Sequence, residues 1–218
     1  MYLVLVRPSS WESVGGSTEA LITLGGYLLG VALLLAGAIP NLSARTLTLI
    51  PVALVLNMVL GQVIGSIGIP LYLDSIGTVL VAVLAGSAAG LATGALSSVV
   101  WGLLNPAALP FAVISALTGL LAGLAKERGL FDRIWTWIIS GAVIGLICGA
   151  LAAPIAAFVY GGTAGVGTGA IVSAFREMGN SLLQSVTMQS FISDPLDKAA
   201  VFAIVYYVVR SLPARVTQ

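Results

Sequence analysis

The chain has 218 residues, of which 59% are apolar and 8% are charged, and its formal net charge is +1. With a mean hydropathy of +1.09, it has too little polar surface to cover a soluble globule, so composition predicts an integral membrane protein. Nine Lys and Arg spread along the chain exclude a basic nucleic-acid-binding face, and the lack of histidine argues against the usual zinc and haem sites and against imidazole catalysis. We therefore expect no enzyme activity, no metal site and no cofactor.

Apolar stretches recur along the chain at the length of a membrane-spanning helix, about 20 residues for a hydrocarbon layer ~30 Å thick. Prolines interrupt several of them, because the ring removes a backbone donor and disfavours helix just before it. A turn at 86–90 would divide the stretch 76–104 into a short helix and a full one; without it, a single tilted helix covers that stretch. The predicted spans are 20–39, 46–65, 76–85, 87–104, 110–125, 134–159 and 194–212.

The segment 171–186 differs from these spans. Its apolar residues recur at helical spacing, and between them lie Arg176, Glu177, Asn180 and Gln184. This pattern predicts an amphipathic helix that lies at an interface or folds back into the protein. The preceding glycine-rich stretch, 161–169, is interpreted as a loop or hinge, because it lacks the Lys-Ser or Lys-Thr of a phosphate-binding loop.

The basic residues of the short loops indicate an orientation. By the positive-inside rule, we expect one side to be cytoplasmic together with the C-terminus. The rule does not choose between six and seven crossings, because Arg7 and Arg45 exchange sides between the two schemes. The residues that fall on the cytoplasmic side in both are Lys126, Arg128, Arg133, Arg210 and Arg215.

Lys198 is the most informative polar residue, because a charge in or near lipid is costly and needs a partner or a role. It follows two aspartates at the predicted start of the last span. There Asp194 would be the N-cap, Pro195 the first helical residue and Asp197 part of a capping box. For the aspartates, this capping role and contact with a ligand both stay open; for Lys198 we favour ligand contact.

Four residues near other span ends are further candidates for ligand contact. Asp74 lies beside Tyr72 at the mouth of a span, where an N-cap role is the alternative for the acid. Trp101 and Asn105 lie at a helix end, where an interfacial aromatic belt also explains the tryptophan.

Small and amide residues inside the spans indicate helix contacts. Asn57 and Gln62 lie in mid-span, where amides more often link helices than bind a substrate. Glycine ladders at 26/30, 86/90/94 and 141/145/149 predict helices that approach one another closely.

Four segments follow one another in a recognisable order: GIPLYLDSIG at 68–77, LAGSAAG at 84–90 with Gly94, 110–120 ending in LTGL, and DPLDK at 194–198. From Thr46 onward, this order resembles the substrate-binding S component of energy-coupling factor (ECF) vitamin transporters, over about three-quarters of the chain. Two features depart from the family pattern. Ser87 and Ala88 stand where proline is frequent, and the span 20–39 is extra to a six-helix core.

The resemblance implies an all-α fold with an N-terminal segment 1–45 that holds an extra transmembrane helix, a six-helix membrane core 46–212 and a cytoplasmic tail 213–218. It favours seven spans in the cell membrane, with the N-terminus outside. It also implies a vitamin-like substrate under the outer loops 66–75, 105–109 and 160–193. The candidate substrate-binding residues are Tyr72, Asp74, Trp101, Asn105, Arg176, Asn180, Gln184 and Lys198.

Such S components have no ATPase motif, and this chain has no Walker sequence. The resemblance therefore implies a coupling membrane subunit and two ATP-binding cassette ATPases as partners. A small-residue face on the first core helix usually meets the coupling subunit. Ala53, Asn57 and Gly61 have the required spacing, although an asparagine is unusual there.

Two other classes stay open. A lysine in the last of seven helices invites comparison with a retinal photoreceptor or sensor, but Lys198 is predicted at a helix end and its neighbouring acids lie on the same helix. The second class is a structural membrane protein in which the polar residues only cap and anchor helices. Mixed charge from Asp74, Arg176 and Lys198 would suit a polar heterocycle or a zwitterion.

Overall fold

The computed structural model describes residues 18–162 and 165–213, and these residues form helices and turns without a β-strand. The predicted all-α class is confirmed for them. Arg7, Arg215 and the end of the predicted tail lie outside the described residues. The α-helices are α1 (Thr18–Ala38), α2 (Ala44–Ser66), α3 (Ile76–Ala85), α4 (Ser87–Gly102), α5 (Ala112–Glu127), α6 (Ile134–Tyr160), α7 (Val166–Glu177) and α8 (Leu182–Ser211), with short 3-10 helices at Ile39–Asn41 and Pro106–Phe111.

Among the described residues, three segments are long and apolar enough to cross a membrane: Ala44–Ser66, Ala108–Glu127 and Ile134–Ala157. Their outer faces expose large apolar side chains such as Val52, which is 69% exposed, a surface that water would not favour. The molecule is therefore a helical membrane protein. Seven crossings stay a prediction.

Gly86 separates α3 from α4. Its φ of +92° is a backbone angle that residues with a side chain rarely adopt. The Ser87 amide, the first of α4, donates a 2.8 Å hydrogen bond to the Glu127 carboxylate, and a negative charge is favourable at a helix N-terminus. The predicted division into a short helix and a full one is confirmed, although the second helix ends at Gly102 rather than at 104.

Aromatic side chains connect the turn between α5 and α6 to the end of α8. Phe131 stacks on Trp137 with ring centroids 4.3 Å apart, and Trp137 meets the edge of Tyr206 at 5.6 Å. The Arg210 guanidinium lies 4.8 Å from the Tyr206 ring centroid. The basic turn and Arg210 therefore lie at one end of the bundle.

The last helix begins earlier than predicted, and the predicted start at 194 is wrong. Ser181 is its N-cap and forms a capping box with Gln184, so α8 runs unbroken through Pro195. Asp194 and Asp197 are interior residues of this helix and not its caps. Proline lacks the backbone donor that a helix interior uses, but membrane helices tolerate this loss where neighbouring helices pack closely.

The glycine ladder of α6 provides that close packing. A methyl group on Gly145 would overlap the Asp194 backbone carbonyl, and one on Gly141 would lie 2.5 Å from the Lys198 carbonyl oxygen. Gly90 and Gly94 of α4 approach α5 in the same way. These two predicted ladders are confirmed, whereas an added methyl group on Gly26 or Gly30 would meet nothing within 4 Å.

The predicted amphipathic helix 171–186 is divided into two. Helix α7 ends at Glu177, and Gly179, with a φ of +90°, reverses the chain before α8 begins. The second half of the segment is therefore the first turn of the last helix. Helix α1, the predicted extra helix, packs on α4 and α5 through Val31.

Candidate functional site

A cavity of about 190 Å³ lies inside the bundle. It is bounded by the last part of α4 and of α6, the first part of α5, the first half of α8 and the loop 67–75. The residues that line it include Tyr72, Asp74, Ser75, Ser98, Trp101, Asn105, Phe111, Ile114, Thr118, Ala152, Gln189, Ser190, Asp194 and Lys198. Helix ends, a loop and one long helix thus meet at this cavity.

Lys198 lies against this cavity between two carboxylates. Its Nζ is 2.5 Å from Oδ2 of Asp197 and 3.5 Å from Oδ1 of Asp74. Lys198 and Asp197 are buried, and Asp197 is 0% exposed. A buried ion pair is tolerated only when hydrogen bonds also satisfy the polar atoms that the pair leaves free. For Asp197, that atom is its other oxygen, Oδ1.

That oxygen holds the loop 67–75. Oδ1 of Asp197 accepts hydrogen bonds from the backbone amides of Tyr72 at 2.9 Å and Leu73 at 2.7 Å. Leu73 has a φ of +50°, unusual for a residue with a branched side chain, and that side chain packs against the main hydrophobic core. The loop is therefore fixed at both backbone and side chain, and its flanking residues Tyr72 and Asp74 line the cavity.

Gly61 of α2 makes room for two residues of the cavity. A methyl group at this position would be 2.6 Å from Cη2 of Trp101 and 2.9 Å from Cβ of Asp74. Both distances are shorter than van der Waals contact, so only glycine fits without a shift. Helix α2 therefore supports the site from behind.

Two polar side chains of the cavity wall lack hydrogen-bond partners. Gln189 is 0% exposed; its amide interacts with the Tyr72 hydroxyl, but neither its nitrogen nor its oxygen has a hydrogen bond of good geometry. The buried hydroxyl of Ser75 is also unpaired. Most buried polar atoms in folded proteins have partners, so two unpaired groups on one cavity wall point to a missing molecule.

Comparisons with family models, with curated proteins and with solved structures find no match to this chain. The function must therefore be inferred from the site itself.

The structure brings five of the eight predicted ligand residues together. Tyr72, Asp74, Trp101, Asn105 and Lys198 all line the cavity. They come from three separate parts of the chain, and the loop 67–75 and helices α4 and α8 position them.

The other three predicted ligand residues lie elsewhere. Arg176 is exposed on α7, Asn180 donates a 3.0 Å hydrogen bond to the Phe175 carbonyl, and Gln184 caps α8. Arg176 lies on α7 before the break at Gly179, whereas Asn180 lies just before α8 and Gln184 at its start, ahead of the part of that helix that reaches the cavity. They do not line this cavity, and their contact with a substrate stays a prediction.

The predicted coupling face of α2 is also corrected. Asn57 is 0% exposed, Ala53 packs against Gly77, and Gly61 faces Trp101. These three residues therefore face the interior of the described part of the chain and not its outer surface. Gln62, predicted in mid-span to link helices, is exposed instead.

Sequence reasoning missed Gln189, Ser190 and Ser75. A signal for the first two was present in the capping-box pattern Ser-x-x-Gln at 181–184, which marks a helix start. A helix from there would have placed Ser190, Asp194 and Lys198 on one face, because residues four apart share a side, with Gln189 next to Ser190.

The same correction affects the photoreceptor alternative. Lys198 lies in the middle of α8 rather than at its end, and Asp74 offers it a carboxylate from another segment. Both sequence arguments against a Schiff-base lysine are therefore wrong. Lys198 is nevertheless bound by two carboxylates, whereas a Schiff-base lysine must be free to react with an aldehyde.

Proposed function

We propose that this protein is the substrate-binding subunit of an ECF-type importer, which captures a vitamin or a related small molecule on the outer side of the cell membrane. The observation that best supports this proposal is the cavity of about 190 Å³, which has buried, unpaired polar groups on its wall. An engineered cavity of about 150 Å³ holds one benzene, so the space suits a ligand built on one or two rings.

Burying polar side chains costs free energy, and this cost favours a ligand-binding role for Gln189 and Lys198 over a purely structural one. Helix caps and interfacial belts explain polar residues at helix ends, but Gln189 and Lys198 lie within a helix and away from its ends. A buried amide without partners destabilises a protein by roughly 1–3 kcal/mol. A ligand that supplies the missing hydrogen bonds accounts for their presence.

The sequence order shared with S components supports uptake as the purpose of binding. Transport then needs a coupling membrane subunit and two ATP-binding cassette ATPases, since this chain has no Walker sequence. The coupling surface must be a face other than Ala53, Asn57 and Gly61. We place the C-terminus in the cytoplasm, because the basic turn and Arg210 share one end of the bundle.

A cavity-filling substitution tests the proposal. Ala152 lines the cavity, and the adjacent Leu151 is 50% exposed on the outer face of the same helix. The purified protein is screened for thermal stabilisation against vitamins and their precursors, beside Ala152→Phe and the matched control Leu151→Phe. A ligand at a hundredfold excess over its dissociation constant stabilises a protein by about 2.7 kcal/mol.

We expect at least one compound to stabilise the unmodified protein and Leu151→Phe but not Ala152→Phe. Uptake of that compound by cells that also express a coupling subunit and its ATPases would establish transport. A folded protein that binds nothing in the panel would favour the structural alternative. A visible absorption band in the purified protein would instead favour a chromophore on Lys198.

A further inference from the structure

The charges that face the cavity do not balance. Asp74 and Asp194 line it together with Lys198, and Asp197 lies behind, in contact with the lysine. Both ion pairs of this cluster involve Lys198, with Asp74 or with Asp197. The cluster therefore holds three carboxylates and one ammonium group, and two negative charges are in excess if all are ionised.

Arg176 would have balanced part of this charge, but it is exposed on α7 and does not line the cavity. The other lining residues are neutral. With its carboxylates ionised the site is negative, unlike the mixed character expected from sequence. A nearby positive charge is strongly attracted in such a low-dielectric space.

Asp194 is the carboxylate outside both ion pairs. It lies one turn before Lys198 on α8 and packs against Gly149, where an added methyl group would be 2.7 Å from its Oδ2. The Ser190 side chain lies close to it, one turn earlier on the same helix. This leaves capacity on the carboxylate for a cation in the cavity.

The aromatic residues of the wall favour the same class of ligand. Tyr72, Trp101 and Phe111 all line the cavity. The face of an aromatic ring attracts a cation, and aromatic side chains combined with carboxylates are a recurring way to bind organic ammonium groups.

The unpaired polar groups indicate what the rest of the ligand carries. The Gln189 amide can donate and accept, and the Ser75 hydroxyl can do both as well. A ligand that pairs with them needs a donor beside an acceptor, as an amide or an amino-substituted nitrogen heterocycle has.

Building on the proposed function, we infer that the ligand is an organic cation: a small nitrogen heterocycle with a positive charge and a donor–acceptor edge. The charge lies by Asp194, Asp74 and the aromatic rings, and the edge pairs with Gln189 and Ser75. Neutral and anionic compounds of equal size bind more weakly.

A series of probes matched in shape isolates the charge. The ring-N-methylated nicotinamide cation, meta-methylbenzamide and meta-methylbenzoate have nearly the same outline; the first two differ in charge alone, and the benzoate also lacks the amide donor. Binding of each to the purified full chain is measured by calorimetry and by thermal shift. We expect the cation to bind about tenfold or more tightly than the amide, and the anion to bind least.

Two variants connect that preference to the site. Asp194→Asn keeps the shape of the side chain and should reduce the preference for the cation to about twofold, because one excess charge is gone. Asp132→Asn makes the same change at an exposed aspartate outside the cavity and should leave the preference intact. Should Asp194→Asn fail to fold, Asp74→Asn provides the same comparison.

Gln189→Met removes the partner of the ligand's donor–acceptor edge and leaves the charges of the site unchanged. It should therefore weaken binding of the cation and of the neutral amide to the same extent. Tighter binding of the amide or the anion overturns the inference, and so does an Asp194→Asn protein that behaves like Asp132→Asn. Binding of none of the three probes overturns it as well. The proposed function then still stands if another compound binds and Ala152→Phe blocks it.

Discussion

Two polar clusters lie inside the helical bundle, and they differ in whether their hydrogen bonds are complete. Around Asn57, the side-chain nitrogen donates to Thr78 at 2.8 Å and Ser97 at 2.9 Å, while its oxygen accepts from the Gly77 amide at 2.7 Å. Beside the cavity, neither the nitrogen nor the oxygen of the Gln189 amide makes a hydrogen bond of good geometry. Both amides are 0% exposed.

The difference separates two roles that one residue type can have. The Asn57 amide links α2, α3 and α4, and its bonds are made without any other molecule. The Gln189 amide lies in the same apolar surroundings with its capacity unused. We therefore expect substitutions in the first cluster to change stability, and substitutions in the second to change ligand binding.

Lys198→Met should have the largest effect on stability. The lysine belongs to both kinds of cluster, because it forms ion pairs and also lines the cavity. Removing it leaves Asp197 buried without its counter-charge, a loss of about 3–5 kcal/mol in the free energy of unfolding. Thermal unfolding in mild detergent measures the change, with Lys126→Met at an exposed lysine as control. Equal stability of the two variants would contradict the ion pair.

Asn57→Leu should have the next largest effect, because three hydrogen bonds between helices are lost. Such bonds average ~0.6 kcal/mol each in membrane proteins, so we expect destabilisation by about 2 kcal/mol. Gln62→Leu makes the same change on the exposed face of the same helix and should cost little. If ligand binding falls while stability stays the same, the two clusters do not differ as argued.

Gly61→Ala should act on binding more than on stability. The added methyl group meets the Trp101 ring and Asp74 and pushes both residues toward the cavity. We expect ligand affinity to fall by about tenfold, or ~1.4 kcal/mol. The control is Gly65→Ala, one turn further along α2, where nothing lies within 4 Å of the added group. Unchanged ligand affinity in Gly61→Ala would show that helix α2 does not fix the positions of Trp101 and Asp74 in the cavity wall.

The smallest change in stability should follow Gln189→Met, since a buried amide without partners is replaced by an apolar side chain of similar length. We expect a change within ~0.5 kcal/mol, or slight stabilisation. Gln184→Met is the contrast, because that glutamine accepts a 3.0 Å hydrogen bond from the Ser181 amide and caps α8. Its loss should destabilise the protein by ~1 kcal/mol. A strongly destabilised Gln189→Met would mean that the amide has a structural partner.

The helices of the core were largely predictable, because their apolar stretches and breakers are local features. Two glycine ladders follow from spacing, whereas composition left the turn at Gly86 and the short helix before it open, and the family resemblance chose them. The last helix was misplaced because Asp-Pro at 194–195 resembles a helix start, whereas the Ser-x-x-Gln box at 181–184 is the actual start.

The site was predictable only in part, since residues were chosen for being polar and close to a span end. That criterion found Asp74 and Lys198, but it also selected Arg176, which the break at Gly179 turns away. It could not find Ser75 or Gln189, because an unpaired group differs from a paired one only in its surroundings. Ala53, Asn57 and Gly61 were assigned to an outer face that the neighbouring helices in fact cover.

The sequence by itself determined that this chain is a helical membrane protein, because hydropathy and charge are sums over residues and need no knowledge of contacts. It also determined most helix limits, since glycine, proline and capping residues act on their neighbours. Only the tertiary structure decided which polar residues share the cavity and which carboxylates surround Lys198. These relations join residues more than a hundred positions apart, and only the packing of the helices brings them together.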